Sequence, residues 1–183
     1  MNMKNTADRY GSLSIAMHWL MLLLLVAVYA TILLREGYEK GSDPREALKV
    51  WHFMLGLSVF ALVFVRIALR FSGGTPRIVP TPPHWQHLLA AGMHLALYLF
   101  LIGMPLLGWL TLSASGKPIP FFGLELPAIW PQDKGFADTL KDLHETIGEI
   151  GYFLVGAHAL AALYHHYIVR DNTLRRMLPG RSA

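Results

Sequence analysis

The run HETIGEIGYFLVGAHALAALYHHYIV, residues 144–169, is long and apolar enough to cross a bilayer, yet it carries His144, His158, His165 and His166. At 100° per residue, the step from His144 to His158 falls about 40° short of whole turns, and the step from His158 to His165 about 20° short. His144, His158 and His165 therefore share one helix face. His144 and His158 are separated by about 21 Å along the axis, most of a hydrocarbon core of about 30 Å, so one site near each membrane surface is expected. Ionisable groups inside a bilayer are costly and tend to be functional. A lone buried histidine is commonly a hydrogen-bonded core residue; three on one intramembrane face call for another explanation.

Composition sets the class. With 54% hydrophobic residues, 15% charged residues and a mean hydropathy of +0.39, the chain is too apolar for a soluble domain of 183 residues and reads as an integral membrane protein. It has no cysteine, which excludes disulfides, thiolate metal sites, iron–sulfur clusters and covalently attached haem. Any metal centre must lean on histidine. The net charge of +4 sits in basic residues at the ends of apolar runs, a pattern of membrane topology rather than of nucleic-acid binding. The first apolar run is long enough to span and is not followed by a small-residue cleavage site, so no cleaved signal peptide is expected.

Four apolar segments, at about 12–34, 47–70, 87–113 and 143–169, predict an all-α integral membrane four-helix bundle forming a single domain over residues 1–183. The connection from Arg35 to Glu46 is short and polar, and that from Phe71 to Gln86 is proline-rich. The third, Ala114 to Asp142, is partly apolar and is expected to fold over one membrane face. Lys4, Arg9, Arg66, Arg70, Arg77, Arg170, Arg175, Arg176 and Arg181 fall on the side of both termini with only Asp8 and Asp171, leaving seven of the 16 Lys/Arg and ten of the 12 Asp/Glu on the other. The bias in basic residues, concentrated just after the last helix, puts both termini in the cytoplasm.

Depth then pairs the histidines. His18 lies about six residues into the first helix from the inside and His52 about five into the second from the outside, at the levels of His158 and His144 on the fourth. The expected pairs are His52 with His144 outside and His18 with His158 inside. Imidazole is a good ligand for porphyrin iron, and two axial histidines close its coordination sphere, which suits electron transfer rather than oxygen activation. Gly56 and Gly148 each follow an outer histidine by one turn, in a repeated His-x-x-x-Gly, and either leave room for a porphyrin face or serve close helix packing. Arg35 or Lys49 outside, and Arg66 or Arg70 inside, are candidates for pairing haem propionates, with snorkelling anchors as the plain alternative.

The stretches Ser14-Ile15-Ala16-Met17-His18-Trp19-Leu20, Trp51-His52, Gly92-Met93-His94-Leu95, Leu143-His144-Glu145, Gly156-Ala157-His158-Ala159 and His165-His166-Tyr167, closing on Asp171-Asn172-Thr173-Leu174-Arg175-Arg176-Met177-Leu178-Pro179, resemble the prokaryotic cytochrome b561 family. No one motif is diagnostic, but their order and spacing cover essentially the whole chain. The resemblance implies a multi-pass protein of the bacterial inner membrane with two b-type haems, acting as a superoxide oxidase that passes electrons from periplasmic superoxide to membrane ubiquinone. It implies His18, His52, His144 and His158 as ligands of the haem iron, the four that depth matching selects. His94 and His165 match positions of the family's quinone pocket. His165 lies about 10.5 Å beyond His158 on nearly the same face, past the ligand toward the surface; histidine can both donate to a quinone carbonyl and supply a proton. The plain alternative is that His165 and His166 finish the helix against its C-terminal dipole.

One feature opposes superoxide as donor: the outer connections are net negative and would repel an anion, unless Arg35, Lys49, Lys117 or Lys141 forms a local positive patch. Two other readings stay open. One is an electron-relay cytochrome subunit that anchors a dehydrogenase or hydrogenase, its protein partner unspecified by the sequence. The other is a histidine-lined zinc or proton transporter, disfavoured because the helix centres lack the Asp or Glu that transport sites commonly use.

Overall fold

The computed structural model describes residues 3–179, so Arg181 of the charge count lies outside the described residues. The chain is all-α with one small hairpin: α1 Ser12–Leu34, α2 Asp43–Phe71, α3 His84–Ala114, β1 Ile119–Phe121, β2 Leu124–Leu126 and α4 Lys134–Tyr164, the last continuing as a π-helical turn over His165–Val169. All four helices are long and apolar enough to cross a membrane. Their faces carry exposed Leu23, Leu99, Phe153 and Leu160, a surface that water would not tolerate and lipid solvates.

The first helix spans its apolar run, 12–34, whereas the other three start earlier than theirs do. At α2 the polar Asp43 and Pro44 precede the run, Pro44 sitting in the first turn where its missing N–H costs nothing. At α4 the expected start near residue 143 moves back to Lys134, because Asp133 caps the helix: its Oδ1 accepts the Phe136 N–H at 3.0 Å. Residues 134–142 add helix whose Ala137 and Leu140 are buried. An apolar run marks the lipid-facing length of a helix, whereas the cap marks its end.

The chain divides into two compact units, and every transmembrane helix contributes to both. One comprises Met21–Val63 and Phe100–Ile150. In it the third connection folds as the antiparallel hairpin β1–β2, with Ile119 opposite Leu126. Ile119 is buried with Leu57 of α2 and Leu112 of α3, and Phe53, Trp109, Phe121 and Leu126 pack around them. Trp109 Nε1 donates to the Pro127 carbonyl at 3.0 Å and the Ile129 N–H to Ser113 Oγ at 3.2 Å, which holds the connection down on α3. Tyr29 of α1 donates to the Gly148 carbonyl of α4 at 2.7 Å.

The other unit comprises Met1–Leu20, Phe64–Leu99 and Gly151–Ala183. Its loops are knitted by polar contacts far apart in sequence. Trp19 Nε1 donates to the Met177 carbonyl at 2.8 Å, and Arg9 to the Leu178 carbonyl at 2.7 Å. Asn172 exchanges bonds with Val79, its Oδ1 accepting the Val79 N–H at 2.9 Å. Arg176 is buried, donates to the Pro76 carbonyl and lies over the Tyr10 ring at 5.7 Å.

Candidate functional site

In the hairpin-bearing unit, α2 brings His52 and α4 brings His144 to a ring-centre separation of 6.2 Å, with planes 78° apart. His52 Nδ1 is 3.0 Å from the Val28 carbonyl of α1. A carbonyl can only accept, so the ring proton sits on Nδ1 and Nε2 presents a lone pair, the tautomer a metal ligand needs. His144 is crowded by α3: a Cβ at Gly108 would meet its Cε1 at 3.4 Å. Its Nδ1 is buried without a hydrogen-bond partner. Around Gly56 there is nothing within 4 Å of where a Cβ would be, whereas at Gly148 a Cβ would meet Met104 Cε at 3.5 Å. Of the two glycines, Gly56 is the one that leaves open space, and Gly148 packs against α3. Gly108 went unread in the sequence; a glycine in the middle of the third apolar run was the available signal.

In the unit that holds both chain ends, three histidines meet. His18 and His158 have ring centres 6.3 Å apart at 68°, and His94 approaches His158 to 5.8 Å, also at 68°. His158 is common to both contacts. His94, expected as a second candidate for the quinone pocket, has its ring against that of His158. Arg66 Nη2 lies 3.0 Å from His18 Nδ1. Because a guanidinium only donates, that nitrogen accepts and the ring proton lies on Nε2. Ligation through His18 Nε2 thus requires Arg66 to let go, and a carboxylate is the partner that would draw it away. Arg70 lies one turn further along α2, at an exposed position.

His165 pairs with Asp171: Nδ1 donates to Oδ2 at 2.6 Å, and Oδ1 accepts the Thr173 N–H at 2.8 Å. Burial pushes the Asp171 carboxyl up, but the hydrogen bonds from His165 and Thr173 outweigh it and hold the group below its ordinary value. The cations of the other unit are engaged as well. Arg35 pairs with Glu36 at 2.9 Å, Arg45 with Glu36 at 3.1 Å and Lys141 with Glu145 at 3.1 Å, while Lys49 pairs with Glu46. Arg45, unremarked in the sequence, is buried and also donates to the carbonyls of Arg35 and Tyr38.

These residues fit a metal ligated on two faces. Two metal–nitrogen bonds of about 2 Å, with roughly an ångström from each nitrogen to its ring centre, place paired imidazoles about 6 Å apart. The 6.2 Å and 6.3 Å pairs meet that spacing, as does the 5.8 Å contact of His94. The orphaned His144 Nδ1 and the open space at Gly56 accord with a bound group beside them.

Comparison with known proteins agrees in kind. A sequence model described as Prokaryotic cytochrome b561 matches residues 9–180. The chain is similar to cytochrome b561 homolog 1 of Escherichia coli K12, 39% identical over 95% of this chain and 99% of that protein. It is 38% identical to the probable superoxide oxidase CybB of Yersinia pestis over 94% of this chain and 97% of that one. Cytochrome b561 homolog 2 of Escherichia coli K12 is 32% identical over 100% of this chain and 97% of its own length.

Proposed function

The chain belongs to the prokaryotic cytochrome b561 family, and from that premise we propose that it carries electrons from superoxide to ubiquinone through two b-type haems. It is a multi-pass protein of the bacterial inner membrane, a b-type haem protein and an electron carrier, as its family is. The observation that carries the finer reading is the pair of histidine contacts at 6.2 Å and 6.3 Å, one in each unit.

In this reading His52 and His144 hold one haem, and His18 and His158 the other. A bis-histidine haem, once bound, supplies one-electron transfer with no open coordination position. The protein's task is to fix the rings and keep water from the iron. Val28 fixes the His52 tautomer, and Gly108 gives the His144 ring its place on α3. Arg66 and Arg70 are the proposed propionate partners on one side, Arg35 and Lys49 on the other. Those last two would exchange Glu36 and Glu46 for the propionates, an exposed-pair exchange that costs little. With both termini cytoplasmic, the His52–His144 haem faces the periplasm and the quinone sits on the cytoplasmic side, beside His165 with His94 as the second contact.

Support for superoxide as donor comes from the name of the Yersinia relative. Electrostatics supports it less: Arg35, Lys49 and Lys141, expected as a positive patch, each meet a carboxylate, and only Lys117 of that set has no ion pair among the described residues. That pairing favours the electron-relay subunit as the second reading. The test is to supply the purified, haem-loaded chain with enzymatically generated superoxide and a soluble ubiquinone analogue, and to measure quinol. Quinol formation that superoxide dismutase abolishes, with no other protein present, supports the oxidase. No quinol, with haems that dithionite still reduces, leaves the relay.

A further inference from the structure

Beyond Tyr164 the last helix changes its winding. His165–Val169 form a π-helical turn, and Arg170 ends it in the left-handed region at φ 59°. Such wide turns are rare and recur at functional sites. Here the turn and the left-handed residue fold the chain back, so that Asp171 meets the side chain of His165 six residues earlier. The Asp171 side chain is 0% exposed and that of His165 is 18% exposed. A carboxylate that deep has to be paired, and both of its oxygens are.

The ring partners of the other intramembrane histidines are different in kind. His18 meets the Arg66 guanidinium and His52 the Val28 carbonyl. Among the described residues, His165 is the histidine whose ring nitrogen meets a carboxylate. An ionised acid on Nδ1 does two things to an imidazole: it fixes the proton on that nitrogen, and it stabilises the ring when Nε2 is protonated too. The group below its ordinary carboxyl value is therefore the right partner for a histidine that must hold a proton and release it. Thr173 keeps the acid ionised from the tail side. Tyr164 packs edge-on against the His165 ring at 5.9 Å.

We infer that Asp171 is a positioning residue for quinone reduction, holding His165 so that its Nε2–H delivers the proton that the reduced quinone takes up. The inference rests on the reading that quinone binds beside His165. Each electron reaching the quinone comes from one superoxide oxidised to dioxygen. With each, the Nε2–H bond breaks and an O–H bond forms on a quinone oxygen, leaving a neutral ring with Nδ1–H still on Asp171. Nε2 then regains a proton from water, through the partly exposed imidazole rather than the buried acid. Two such cycles supply the two electrons and two protons of one quinol.

The experiment uses the haem-loaded full-length protein, its haems pre-reduced and the reductant removed. It is mixed with a soluble ubiquinone analogue, and haem reoxidation is followed optically in water and in deuterium oxide. Asp171→Asn is expected to keep both haems and a wild-type half-saturating quinone concentration. Its maximal reoxidation should be slower by at least about tenfold, with a larger solvent isotope effect. In a His165→Ala background it should cost nothing further. Asp171→Glu, which keeps the carboxylate, should recover most of the rate, and a haem-replete Glu variant as slow as Asn overturns the role. Wild-type reoxidation by Asp171→Asn, with His165→Ala slow, overturns it too while leaving the quinone site standing. If His165→Ala also reoxidises at the wild-type rate, the quinone site itself is misplaced.

Discussion

The two histidine sites use the same residue type in opposite ways. In the hairpin-bearing unit there are two rings, one tied to a backbone carbonyl and one pressed against a glycine, while Arg35, Arg45, Lys49 and Lys141 are each engaged by an acid. In the unit of the chain ends there are three rings in contact, a guanidinium inside hydrogen-bonding distance and a histidine–aspartate pair nearby. Backbone carbonyls and glycines stay in place; an arginine side chain can change partners while keeping its charge, and histidine can also exchange a proton. The rings of the first site are held by partners that stay in place, whereas a ring of the second lies beside a guanidinium that can exchange partners.

The largest expected effect tests that difference directly. Replacing His52 or His144 with alanine should remove one of two haems, counted as pyridine hemochrome, and leave the other spectrum intact. In the three-ring cluster, His18→Ala and His158→Ala should each remove the other haem, while His94→Ala keeps it. If His94→Ala empties that site and His18→Ala does not, the 5.8 Å contact is the ligand pair and the Arg66–His18 bond is permanent. A smaller effect sharpens the rigid side. Gly108→Val has no room for its branches beside His144 Cε1, and should weaken haem retention at that site by roughly tenfold in a haem-transfer assay, with the second haem unaffected. The smallest effect concerns acid. The folded Asp171 carboxyl lies below its ordinary 3.8, so its share of stability is complete above about pH 4 and is lost as pH falls through the folded value. Melting of the detergent-solubilised protein between pH 3 and 6 should show a shift of a few degrees that Asp171→Asn abolishes.

Much of this was legible in the sequence because a bilayer writes plainly. Apolar runs gave the four spans. Depth counting from each run's end brought His18 to His158 and His52 to His144, as the ring contacts have it. Helix ends were hidden because caps such as Asp133 are polar and lie outside the runs. The contact of His94 with His158 depends on how α3 is turned about its axis, which periodicity in an all-round apolar helix does not reveal. The Asp171–His165 pair was invisible for another reason. A left-handed residue stands between them, so no helical spacing links positions 165 and 171, and the acid entered as a charge to be counted and as the first residue of the closing stretch.

The bond from Trp19 to the Met177 carbonyl spans 158 residues, from the first helix made to the last turn of the tail. During synthesis the indole N–H of Trp19 therefore waits while three more helices enter the membrane, and Arg9 waits likewise for the carbonyl of Leu178. This clasp closes only after all four helices have been made, so the first helix stays unlatched until the segment that follows the fourth is in place.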